Sequence, residues 1–228
     1  GENSLARECQ MSRAPKFDVK SFFPHPRPSS SSFDLLLLST SSHHHQPQNT
    51  TARFPSVSTR ERSIVTWLVL TALIHLVVEG YVVLDSGFYR SKSKINFLAE
   101  VWKEYGKADS RYATRDAFTV CMEFVTAFFV GPLCLFAASQ YCSRGQWRHV
   151  AALVASVCQL YGDALYFATC AFEKGIHTRP EPLYFWFYFV GLNGMWVVVP
   201  LAVSWHAIKE TLAAQKRLDE SGWRVKQS

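Results

Sequence analysis

The sequence predicts an all-α, polytopic membrane protein: an antiparallel bundle of four transmembrane helices with a low-complexity N-terminal tail. Three observations predict it. Four apolar stretches, at about 63–84, 117–141, 150–172 and 183–207, each approach or exceed the roughly 20 residues that a bilayer-spanning helix needs. Only 18% of the 228 residues are charged and 14% are aromatic, a balance suited to lipid contact. Polarity is also unevenly distributed, concentrated in residues 1–62, in the connections and in a charged C-terminal tail at 211–228. The membrane domain is therefore read as 63–210.

The tail holds FFPHPRPSSSS, a Ser/Thr run and His43-His44-His45, with little to bury, and is expected to be disordered. Its Leu35–Leu38 run is too short for a signal-peptide core. The first span, SIVTWLVLTALIHLVVEGYVVL, carries His75 and Glu79 four residues apart, on one helical face. An acid at such a position costs roughly 2.5–3.5 kcal/mol on insertion scales, so the pair calls for a reason. The connection 85–116 contains a helical pattern at 96–105, with Phe97, Leu98, Val101, Trp102 and Tyr105 on its apolar side. It is expected to lie on the membrane surface or to cap the bundle.

The second span holds Glu123, with Thr119 and Thr126 on its face. These threonines either orient the carboxyl group or bond back to the backbone. A Gly131-Pro132 pair predicts a kink. The third span carries Gln159 and Asp163. The fourth opens on an aromatic run, Tyr184–Phe189, suited to an interfacial belt, and goes on through Asn193, Trp196 and a bend at Pro200. Beyond it the chain is expected to leave the membrane as a frayed helix. Gly80, Gly162, Gly191 and Gly194 are expected to let helices approach closely.

Counting about 1.5 Å per residue from the membrane face shared with the 85–116 connection puts Glu79 and Glu123 roughly 8–9 Å deep. On the same count His75, Asp163 and Asn193 lie at roughly 14–15 Å and Trp196 at roughly 20 Å. The strongly polar residues all fall in the half of the bilayer nearer that face. Gln159 or Asn193 taken singly reads as interhelical hydrogen-bond glue. Two glutamates and a histidine at shared depth read as a functional pocket. Asp163 fits either reading.

Several classes of chemistry lack their signatures. There is no CxxC, HExxH, phosphate loop or nucleophile triad, so no metal site and no cofactor are expected. The net charge of +6 is scattered through the tail, loops and C-terminus without a basic stripe, which points to bilayer contact and not to nucleic acid. No helix has a polar face along its full length, which argues against a proton channel or transporter. What remains is a proton-transfer or cation-binding site for an apolar molecule, in which Trp196 could face a cation.

The segments IHLVVEGYVVL, LAEVWKEYGKADSRY, FTVCMEFVTA, VCQLYGDALYF and PLYFWFYFVGLNGMWVVVP closely resemble the emopamil-binding (EXPERA) family, over about 64–210. The resemblance implies a cofactor-free sterol Δ8–Δ7 isomerase in the endoplasmic-reticulum membrane and its nuclear-envelope extension. It also implies binding of lipophilic cationic amines, and it is compatible with a homodimer. Carried over residue by residue, the family's functional positions are His75, Glu79, Asp109, Arg111, Tyr112, Glu123, Thr126, Asn193 and Trp196. Tyr105 stands in a matching block. On this reading His75/Glu79 gives a proton to the alkene, Trp196 faces the carbocation, and Glu123 with Asn193 removes the C7 proton. The alternative within the family is a non-catalytic sterol- or amine-binding protein. The resemblance also implies one more membrane helix ahead of the first span, where this chain has its Ser/Pro/His-rich tail.

Overall fold

A computed structural model describes residues 58–90 and 96–227, and the side chains up to residue 222. The tail, and with it the expectation of disorder and of a replaced first helix, lies outside the described residues. Among the described residues four helices are long and apolar enough to cross a membrane.

The first spanning helix, α1, is Thr59–Leu84. It begins one turn before the apolar run, because Glu61 sits in the first turn and forms an ion pair with Arg144 at 2.6 Å. Its middle, Ile74–Glu79, is a π-helical segment in which the Gly80 N–H reaches the His75 carbonyl five residues back. Such wide turns inside α-helices are frequent at functional sites.

Two short helices follow, α2 (Phe97–Ala108) and α3 (Ser110–Thr114). The Asn96 side chain caps α2 by accepting from the Ala99 N–H, and Asp109 caps α3 by accepting from the Arg111 N–H. α2 is the expected capping helix. Its Trp102 is buried and donates to the Val78 carbonyl of α1 at 2.7 Å, whereas Phe97 stays exposed. Arg115 donates to the carbonyls of Val82 and Val83, satisfying the last turn of α1.

The second spanning helix, α4, is Ala117–Cys142. The expected disturbance at Gly131-Pro132 takes the form of a π segment at Thr126–Val130, where the Gly131 N–H bonds to the Thr126 carbonyl. Pro132 has no N–H to offer the carbonyl four residues back, so the helix widens just before it. α5, Arg148–Phe172, is a regular α-helix. α6 starts as a π segment, Leu183–Leu192, and continues as α-helix through Asn193–Gln227. The C-terminal segment, expected to fray, continues this helix without a break.

α1 packs on α4, α4 on α5, and α5 on α6. The hydrophobic core lies in the half of the bundle away from α2, where Ile64, Leu68, Cys134, Ala137, Ala138, Ala151, Ala152, Ala155 and Val203 meet. Small side chains dominate that list, as they do where helices must approach closely without a hydrophobic driving force. The glycine that does this in the polar half is Gly131. A Cβ there would stand 3.0 Å from Leu76 Cγ and 3.2 Å from His75 Cβ. The four glycines expected to do so are less constrained between helices. A Cβ on Gly80 or Gly162 would make ordinary contacts, and one on Gly194 would meet nothing. At Gly191 the crowding comes from the Trp186 carbonyl of its own π turn.

The aromatic run divides by face. Trp186 and Phe187 are exposed, as a lipid-facing belt requires. Phe189 is buried, and Tyr184 reaches inward to donate to Glu104 of α2.

Candidate functional site: a polar cavity in one half of the bundle

α5 shows why the site lies where it does. Ala152, Ala155, Ser156, Gln159, Asp163, Tyr166 and Cys170 recur at helical spacing and are all buried. The inward face is thus small and apolar toward one end and polar toward the other. The polar end faces His75 and Glu79 of α1, Glu123 of α4, and Asn193 and Trp196 of α6. Together with α2 these helices line a cavity of about 320 Å³, at the lower end of the size range of small-molecule sites. Ile74, Val78, Val101, Met122, Leu192 and Met195 supply apolar wall between the polar groups.

One polar cluster centres on His75, which is 1% exposed. Its Nδ1 lies 2.6 Å from Glu79 Oε2. On the other side of the ring, Nε2 lies 3.2 Å from Thr71 Oγ1 and 3.0 Å from Gln159 Nε2. Trp196 donates its indole N–H to Thr71 Oγ1 at 3.1 Å, and its ring centroid is 6.2 Å from that of His75. The indole is thereby fixed at the cavity wall.

A second cluster surrounds Glu123. Tyr112 donates to Glu123 Oε1 at 2.6 Å. Tyr112 also stacks on Trp102 with ring centroids 4.7 Å apart, and Tyr105 meets Tyr112 edge-on at 5.1 Å. Burial pushes the Tyr112 phenol well above its ordinary pKa, and the nearby Glu123 charge adds to this, so it remains an O–H donor. Burial likewise raises Tyr105. Asn193 donates to the Tyr105 hydroxyl at 2.8 Å and to the Phe189 carbonyl at 2.6 Å. Glu79 and Glu123, on different helices, both line the cavity, and their carboxyl groups come within side-chain hydrogen-bonding reach of each other.

Behind this wall lies a buried support. Arg111 grips Asp109 through Nε at 3.0 and 3.1 Å and through Nη2 at 2.7 Å. Its Nη1 donates to Thr169 and to the Tyr166 carbonyl of α5. Both partners are fully buried. Burial alone would pull the Arg111 guanidinium down, but the Asp109 carboxylate outweighs it and holds it above its ordinary range. Tyr166 completes the set by donating to Asp109. Ser110 pairs through its N–H with the His177 carbonyl, which ties the α5–α6 loop to the cap.

The structure therefore brings together His75, Glu79, Tyr105, Tyr112, Glu123, Thr126, Asp163, Asn193 and Trp196 around one cavity. Asp109 and Arg111 stand behind it. Thr119 does not line the cavity and bonds to Asp116, capping α4. Thr119 gives its hydroxyl to Asp116, whereas Thr126 bonds back to the Glu123 carbonyl at 3.0 Å and also comes within side-chain hydrogen-bonding reach of its carboxyl, beside Tyr112 from α3. Asn193 serves Tyr105 and not Glu123. Asp163 presents an Oδ2 without a partner, next to the cavity.

The residues missed in the sequence are Thr71, Trp102 and Tyr166, while Gln159 makes the interhelical hydrogen bonds its type suggested, to Thr71 and His75. Thr71 stands four residues before His75 and Gln159 four before Asp163, so the shared faces were readable. Trp102 carries no such signal beyond the apolar side of its helical pattern, and Tyr166 none, because their hydrogen bonds run to other helices.

A family model described as EXPERA (expanded EBP superfamily) matches residues 97–207. The chain is 43% identical over 161 residues to the 3-beta-hydroxysteroid-Delta(8),Delta(7)-isomerase of Mus musculus, covering 70% of this chain and 69% of that protein. The chain belongs to the EXPERA family. The Rattus norvegicus protein of the same name is 41% identical, over 75% of this chain and 74% of its own length. Protoglabretal synthase of Citrus sinensis is 38% identical, over 70% and 75% respectively. EXPERA relatives at this level of similarity thus carry differently named activities. The EXPERA-matched segment contains the Glu123 cluster, Gln159 and Trp196, whereas Thr71, His75 and Glu79 precede it.

Proposed function

We propose that this protein is a sterol isomerase of the endoplasmic-reticulum membrane, moving a ring double bond from C8=C9 to C7=C8. The observation that carries this reading is the meeting of two acid clusters and an indole around one cavity with apolar wall between them, in one half of a membrane bundle. The similarity to isomerases named for Delta(8) and Delta(7) supports it.

The reaction moves two protons and needs no other reagent. Glu79, oriented by His75, gives a proton to the C8=C9 alkene at C9. The charge then lies at C8, where the Trp196 ring face and the nearby carboxylates oppose it. A desolvated cation–π contact contributes about 2 kcal/mol. Glu123, held by Tyr112, removes the proton from C7 and the new double bond closes. Closeness of the two carboxyl groups gives the proton a short way back. Asn193 acts through Tyr105, which braces Tyr112. A cavity suited to this cation also fits lipophilic amines that carry the same charge.

Expression in isomerase-deficient cells followed by sterol profiling tests the reading. Restoration of Δ7 sterols is expected. Glu79→Gln and Glu123→Gln should each lower conversion by about 10²–10⁴, the usual worth of a general acid or base, at similar protein level. Bound sterol without conversion by the unsubstituted chain would select the non-catalytic alternative.

A further inference from the structure

We infer that Gln159 is a positioning residue that keeps His75 neutral, with its hydrogen on Nδ1, so that the proton for the substrate is held on Glu79. The inference rests on the assignment of Glu79 as proton donor.

The argument starts from how the Gln159 amide is oriented. Gln159 is 3% exposed, so its hydrogen-bonding groups depend on protein partners. Its Nε2 donates to Thr71 Oγ1 at 2.9 Å, lies 3.0 Å from His75 Nε2, and is 3.9 Å from Cys134 Sγ. Its Oε1 is buried without a partner. Exchanging O and N would place the carbonyl oxygen on Thr71 and His75. It would also withdraw the donor that Thr71 Oγ1 and Cys134 Sγ now receive, whereas the present orientation leaves a single carbonyl oxygen unpaired. The NH₂ group therefore faces His75.

An NH₂ has no lone pair to give, so His75 Nε2 must be the acceptor. The Thr71 hydroxyl points to the same conclusion. Its oxygen already accepts from Trp196 and Gln159, and at 3.2 Å its own hydrogen can share the one Nε2 lone pair of His75 with the Gln159 NH₂. With Nε2 as acceptor, a neutral ring carries its hydrogen on Nδ1, directed at Glu79 Oε2 at 2.6 Å. A second proton on the ring would have to go to Nε2 and point into the Gln159 NH₂, donor against donor. A proton loaded into the pair therefore stays on Glu79. Oε2 is occupied by the imidazole N–H, so the acid hydrogen sits on Oε1. Sequence spacing reveals none of this, because Gln159 lies 84 residues from His75 and the two meet only when α5 packs against α1.

Other titratable groups near the pair are Glu123 from α4, Asp163 from α5, the Cys134 thiol, and Tyr105 and Tyr112 from the cap. None of them touches His75 Nε2, so the control belongs to Gln159 and Thr71.

Two variants separate this role from packing. Gln159→Glu keeps the shape but turns the donor into an acceptor, drawing a proton onto Nε2 and trapping it there. Gln159→Met keeps the bulk and offers neither. Activity is expected in the order Gln, then Met, then Glu, with kcat for Gln159→Glu down about 10²-fold and KM within about threefold. A packing role predicts the reverse order for the two variants, and that order would overturn the inference. ¹⁵N NMR of the unsubstituted full chain in lipid nanodiscs needs neither turnover nor a folded variant. It should show His75 neutral, with Nε2 as the unprotonated nitrogen. A protonated Nε2, alone or in an imidazolium, refutes the assignment. Lack of isomerisation by the unsubstituted chain would instead refute the proposed function and leave the NMR result standing.

Discussion

The two halves of the bundle use the same four helices for opposite purposes. In the half away from the cap, α1, α4, α5 and α6 meet through alanine, leucine and valine, and a buried cysteine adds no charge. In the half beneath the cap the same helices carry His75, Glu79, Glu123, Gln159 and Asp163, and they stand apart around a cavity. The difference shows what a polar site in a membrane requires. Regular α-helical faces with small residues pack closely. α1, α4 and α6 each carry a π segment within or beside the polar half, at Ile74–Glu79, Thr126–Val130 and Leu183–Leu192. The closely packed half holds the helices in place while the polar half forgoes packing for chemistry.

Substitutions can break this contrast. Beyond the loss of conversion expected for Glu79→Gln and Glu123→Gln, the largest effect on stability should come from Asp109→Asn. It leaves the fully buried Arg111 without its counter-charge, at a cost of about 3–5 kcal/mol. Thermal unfolding in detergent should show a large fall in Tm, and the double change Asp109→Leu/Arg111→Leu should recover part of it.

Leu68→Ala, in the apolar half and fully buried, should cost about 2–5 kcal/mol by opening a cavity. Conversion per folded molecule should be little altered, and a marked loss would show that the halves are not independent. Gly131→Ala sharpens the comparison from the other side. Its Cβ would press on Leu76 and His75, costing about 1–3 kcal/mol, and it should lower conversion more than its Tm shift explains. The smallest effect is expected at the far end. Glu61→Gln removes a partly exposed ion pair with Arg144 and should change stability by at most about 1 kcal/mol, with conversion unchanged.

The spans, their antiparallel order and the shared depth of the acids were legible because each follows from local pattern. Helical hydrophobicity is continuous along a span, and depth is a count along one helix. Partners were not legible in this way. Helical spacing offers Glu123 its neighbours Thr119 and Thr126, either as partners of the carboxyl or as backbone-bonded groups. The structure brings Tyr112 to the carboxyl as well, from a helix of five residues in the connection. The close glycine was sought among four positions and found at Gly131, because only packing decides which glycine faces another helix. The π segments were hidden as well, except where Pro132 marked one.

By itself the sequence determined an all-α membrane bundle, the half of the bilayer that would be polar, and the set of residues able to move a proton there. Periodicity and composition are properties of single helices, and those properties suffice for that much. Tertiary structure alone decided which groups meet: Tyr112 with Glu123, Asn193 with Tyr105, and Gln159 with the far nitrogen of His75. Each of those contacts joins different helices. Its direction depends on how the helices rotate and approach, and a one-dimensional pattern does not contain that.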